Sequence, residues 1–146
     1  MTELTLAAED AEDLEVISAR LQDAVAPLKE IVWLPKTRRF AALFNRFVWE
    51  EKRKNANLRV RSLLHFDDVL SVQAKNIKMG APDAVVSLLA VEFEPKGDED
   101  PGGAITLVFS GGGAIRLEVE CIAAGLTDVS GEWGRARTSR PRRDVT

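Results

Sequence analysis

The chain has 146 residues, 45% hydrophobic and 29% charged, with a net charge of −3. That length fits one ordinary domain able to bury about two-thirds of the surface its unfolded form exposes, and the composition excludes a wholly disordered or fibrous chain. One cysteine, Cys121, excludes an intramolecular disulfide framework and points to a reducing compartment, the cytoplasm.

Asp10 has the chemistry of a helix N-cap, and acids continue through the turn that follows, where the helix dipole favours them. Leu14, Ile17, Leu21 and Val25 recur at helical spacing, so a helix is expected over residues 11–25, closed by Pro27, with Glu12, Glu15, Arg20 and Gln22 toward water. Residues 28–34 and 39–49 read as strands around a turn at Pro35-Lys36-Thr37-Arg38. Residues 58–66 alternate, with Leu58, Val60, Leu64 and Phe66 on one face and Arg59, Arg61 and His65 on the other. A turn at Asp67-Asp68 and a weaker strand over 69–77 follow. Residues 84–94 read as a central strand buried on both faces and stopped by Pro95, and residues 95–103 as a mobile loop. Residues 104–109 and 114–121 form a hairpin through Ser110-Gly111-Gly112-Gly113, where glycine accepts the positive φ of a tight turn. Ile122, Leu126, Val129 and Trp133 shift to helical spacing and predict a short C-terminal helix.

About seven strands joined by short turns, with a helix near each end, give an α+β domain. Its expected form is a curved antiparallel sheet or half-open barrel over residues 1–133, followed by a disordered Arg-rich tail over 134–146. The opening MTELTLAAEDAED is acidic where a signal peptide is basic, and the longest apolar run, 84–91, falls short of the ~20 residues that cross a bilayer. Export and membrane insertion are not expected.

The stretches AAEDAEDLEVISARLQDAV, WLPKTRRFAALFNRFVWE, HFDDVL, VVSLLAVEFEP and GGGAIRLEVECI together resemble a family of short bacterial proteins classed as a domain of unknown function, over residues 4–133. The resemblance implies a single cytoplasmic bacterial domain. It carries no activity, cofactor or catalytic residue onto this chain.

The residues themselves offer few chemical leads. Ser110 to Gly113 precede a strand, whereas a phosphate cradle precedes a helix N-terminus, so a hairpin turn is expected. His65, Asp67 and Asp68 form a compact cluster in which Asp67 lies on the same side of the strand as the imidazole, close enough to orient it. A metal site needs three or four ligands and a hydrolase needs a nucleophile, and neither stands near, so these residues read as structural. Cys121, on the apolar face of its strand, reads as core.

Charge is unevenly placed. Residues 1–30 hold eight acids against two bases, and residues 36–61 hold nine bases against Glu50 and Glu51. The two segments either face each other or present separate surfaces. Lys36, Arg38, Arg39, Lys52, Arg53, Lys54, Arg59 and Arg61 form a candidate anion or partner surface, interleaved with Trp33, Phe40, Phe44, Phe47 and Trp49. The aromatics occupy positions a core claims first, so a solvated face precedes nucleic acid as the reading. The leading functional reading is a non-enzymatic binding or assembly module with a protein partner, a homodimer being favoured, and with no metal or cofactor. Its alternatives are a small-ligand binder or an enzyme of unrecognised type using a pocket in the curved sheet, and a weak nucleic-acid binder through residues 36–61 and the tail.

Overall fold

The computed structural model of the chain describes residues 5–48, 59–78 and 80–129. Helix α1 (Ala11–Arg20) begins as its sequence requires: the Asp13 N–H donates to the Asp10 carboxylate at 2.8 Å, and Glu12 and Asp13 occupy the first turn. Leu14 and Ile17 are buried along it, and Leu21 is buried at its C-cap. The helix stops short of residue 25 because tertiary pairing takes over its last backbone groups. Asp23 adopts a left-handed φ of 67° and donates its N–H to the Leu88 carbonyl at 2.7 Å, while Leu88 N–H donates to Ala24 at 2.8 Å. Val25 to Pro27 then form strand β2, so Pro27 lies in a sheet rather than ending a helix.

The remaining strands are β1 (Thr5–Ala8), β3 (Ile31–Leu34), β4 (Arg39–Phe47), β5 (Arg59–Phe66), β6 (Val69–Lys75), β7 (Val85–Gly97), β8 (Asp100–Phe109), β9 (Ala114–Val119) and β10 (Ala124–Asp128). All pair antiparallel, in the order β1-β10-β5-β4-β2-β7-β8-β9-β6, with β3 on β4. Strand β7 joins two halves. Val85 to Ser87 pair with β2, and Leu88 onward pairs with β8 after a register shift between Leu88 and Ala90 that re-aims the strand. The end strands β1 and β6 do not pair with each other, so the sheet does not close into a barrel.

There are ten described strands rather than seven, because β1, β2 and β10 have only three to five residues, too few for alternation to stand out. The predicted C-terminal helix is replaced by β10, seated between β1 and β5 with Leu126 level with Leu6 and Leu64. Its inward positions are Ala124, Leu126 and Asp128, and the charged third member hid the period of two. The expected mobile loop at 95–103 is mostly strand. β7 runs through Pro95 to Gly97 and β8 begins at Asp100, with the Phe93 ring laid over Gly103, where a Cβ would sit 2.9 Å from it. Strand β7 is central but not buried on both faces, since Val85 and Leu89 are exposed. The turn at Ser110 to Gly112 forms as expected, with Gly111 and Gly112 at φ of 84° and 93°.

One apolar cluster holds the halves together. Leu14, Ile17 and Leu21 of the helix region meet Phe40, Phe44, Leu64 and Phe66 from the first half and Leu88, Ile105, Leu107 and Leu117 from the second. Ser18 Oγ accepts the Val91 N–H at 2.9 Å and fixes α1 to β7. No helix among the described residues is long and apolar enough to cross a membrane. Trp49, Trp133 and the tail at 134–146 lie outside the described residues.

Candidate functional site

Alternation along β4, β5 and β10 sets what lies beneath the first half and what lies on it. Phe40, Ala42, Phe44 and Arg46 of β4, Val60, Ser62, Leu64 and Phe66 of β5, and Leu126 and Asp128 of β10 point inward. Three of these are polar. The Arg46 guanidinium donates to the two oxygens of Asp128 at 3.1 and 2.9 Å and to Ser62 Oγ at 3.0 Å, and Ser62 donates to Asp128 at 2.5 Å. A further Arg46 N–H reaches the Phe47 carbonyl at 3.1 Å. The pair is 2% and 6% exposed, so its charges are compensated by geometry rather than by water.

The outer face of the same strands is the reverse. One row runs Ala7, Gly125, His65, Ala41, Val32 from β1 to β3, and the next runs Thr5, Thr127, Leu63, Leu43. Among the described residues, five of the seven exposed large hydrophobic side chains lie on this face or its continuation across β2 and β7: Val32, Leu34, Val85, Leu89 and Val129. Charge stands at its ends. Arg59 lies over the Phe47 ring at 4.6 Å and Arg61 sits level with Asn45 at one end, and Arg39 and Asp67 close the other. The outer face of the second half carries Glu94, Arg116 and Glu118, with Arg116 2.9 Å from Glu118 and 4.0 Å from Glu94.

At the β5–β6 turn, Asp67 is gripped by Arg39 at 2.7 and 3.3 Å, and these hydrogen bonds, opposed by partial burial, hold its carboxyl below the usual range. His65 Nδ1 lies 3.6 Å from Asp67, just beyond hydrogen-bond reach, and is buried with no hydrogen-bond partner among the described residues. The ring rests on Gly125, where a Cβ would come within 2.5 Å of Nε2. The carboxylate thus lies on the side expected, but among the described residues no group of three or more metal-ligating side chains forms.

Cys121 departs from expectation. Strand β9 ends at Val119, the Glu120 N–H donates to the Asp68 carbonyl at 3.0 Å, and Cys121 is half-buried beside the turn rather than on the apolar face. Its Sγ lies 3.5 Å from the Asp68 carboxylate, and burial, then that negative neighbour, push the thiol up, which keeps it protonated and a poor nucleophile.

Among the described residues, the basic side chains singled out from the sequence are spread along the first half. Arg38 binds Glu120 at 3.1 Å on the rim, Arg39 binds Asp67, Arg59 and Arg61 sit at the far end of the outer face, and Lys36 is exposed in the β3–β4 turn. Lys52, Arg53 and Lys54 lie outside the described residues. Among the described residues, carboxylates that meet Arg38, Arg39 and Arg46 belong to Glu120, Asp67 and Asp128, all outside the acidic first thirty. Sequence reasoning missed the Arg46–Ser62–Asp128 cluster, although Arg46 falls on the inward alternation of FAALFNRF, which was the available signal.

No curated protein and no solved structure matches the chain. A family model does match, over residues 4–143, nearly the whole length, and so the chain belongs to the family described as a protein of unknown function, DUF2948.

Proposed function

We propose that the chain is a non-enzymatic binding and assembly module of the cytoplasm whose docking surface is the outer face of β1, β10, β5, β4 and β3. The observation that carries this is that Val32, Leu34 and Val129 stand exposed on that face beside the aliphatic row Leu43–Leu63, with Val85 and Leu89 on its continuation, since apolar side chains gathered on an outer face mark an interaction surface. A protein is the fitting partner class. Arg38 and Arg39, which a nucleic acid would need for its phosphates, are engaged with Glu120 and Asp67. The lone, half-buried thiol of Cys121 suits a reducing compartment.

Site-specific photo-crosslinking in the native cells tests the reading. A photoreactive residue at Val32 should give a discrete protein adduct, and the same residue at Thr106, on the other outer face, should give none. Absence of an adduct from position 32, or equal adducts from both, would remove the face as a docking surface.

A further inference from the structure

We infer that the occupant of this face is a second copy of the chain, packed sheet to sheet about a two-fold axis that crosses the strands through Leu43 and Leu63. The inference rests on the reading of the face as a docking surface and names its partner.

Size is the first support. Five strands at ~4.8 Å spacing, followed for six residue steps of ~3.3 Å along β5, span a projected area on the order of 500 Å². A two-fold pair covers that area twice, on the order of 1,000 Å², the size at which specific interfaces begin. Permanence is the second. Val32, Leu34 and Val129 would stand in water in a lone chain, and aliphatic faces of this kind belong to lasting interfaces. A second copy is the partner present at equal abundance whenever the chain is made.

Charge selects the axis. If it ran along the strands over β5, Arg59 and Arg61 would each face their own copies, and like charges so placed repel. Run across the strands, it keeps β5 over β5 but reverses its direction. Leu63 then meets Leu63, Arg61 lies over the His65 row, and Arg59 lies toward the end where Asp67 stands beside Arg39. Cation faces carboxylate or imidazole, and the Leu43–Leu63 row meets its own copy at the dry centre.

Sedimentation velocity on the purified chain, with disulfide trapping, tests this. Wild type should sediment as a dimer at high concentration, and Val32→Asp with Val129→Asp should sediment as a folded monomer. In a Cys121→Ser background, Leu63→Cys on the axis should form a disulfide between copies under mild oxidation, and Leu34→Cys at the end of the face should not. Thr127→Cys, in the same row, replaces Leu63→Cys if the latter fails to fold. A monomeric wild type overturns the inference, as does a dimer trapped through Leu34→Cys and not through the axis row. The in-cell adduct at position 32 separates the failures: a mass other than twice the chain overturns the second copy alone, whereas no adduct overturns the docking face with it.

Discussion

The two halves of the sheet differ in what they bury and in where charge stands outside, at the ends of the outer face in the first half and across it in the second. The first half buries an arginine, a serine and an aspartate beneath itself and leaves Leu43, Leu63, Val32 and Val129 outside. The second half packs Ile105, Leu107, Ile115 and Leu117 inward without a charge and sets Glu94, Arg116 and Glu118 outside. On the reading proposed above, the outside of the first half is a docking face, and the buried ion pair beneath it clamps β4, β5 and β10 in one register.

The comparison breaks most severely at Asp128. Asp128→Ala takes from the buried Arg46 the carboxylate that holds it, and should cost about 3–5 kcal/mol in urea denaturation. Replacing the cluster together, Arg46→Met with Ser62→Ala and Asp128→Leu, should recover most of that loss, because the penalty belongs to the buried charge and not to the missing attraction. If Asp128→Ala unfolded with the parent, the cluster would not be holding the first half. Gly125→Ala comes next. Its methyl would meet the His65 ring and the cross-strand neighbour must shift, so a loss of about 1–3 kcal/mol is expected. The same substitution in a His65→Ala background should be nearly neutral, and equal costs in both backgrounds would show that the ring is not what fills the space over Gly125. Smallest is Arg116→Ala on the exposed face of the second half. Solvent screens its pairs with Glu94 and Glu118, so thermal denaturation should register less than about 1 kcal/mol. A larger loss would mean that this face too is sheltered.

Local chemistry made part of this legible in the sequence. Asp10 with Leu14, Ile17 and Leu21 marks α1, Ile115, Leu117 and Val119 mark β9, and Gly111-Gly112 mark the turn before it, because each signal is written within a few residues. Strand β10 was illegible because its inward Asp128 answers to Arg46, 82 positions away, and the loss of one apolar residue destroys the alternation of so short a strand. The outer face was illegible for a different reason. Period-two alternation sorts Leu43 and Leu63 onto one side of their strands, but which side is covered is decided by where α1 and the second half pack. His65 and Asp67 were correctly placed together, since both are local to one turn, while Arg39, which holds Asp67, comes from the neighbouring strand.

The contrast between the two outer faces is tested most directly by methyl NMR with a soluble paramagnetic agent, read as the protein is concentrated. The account predicts that quenching of the Val32, Leu43, Leu63 and Val129 methyl signals falls with concentration, while that of Thr106 and Val108 on the second half stays constant. Unchanged quenching of the first set, or equal protection of both sets, would contradict it.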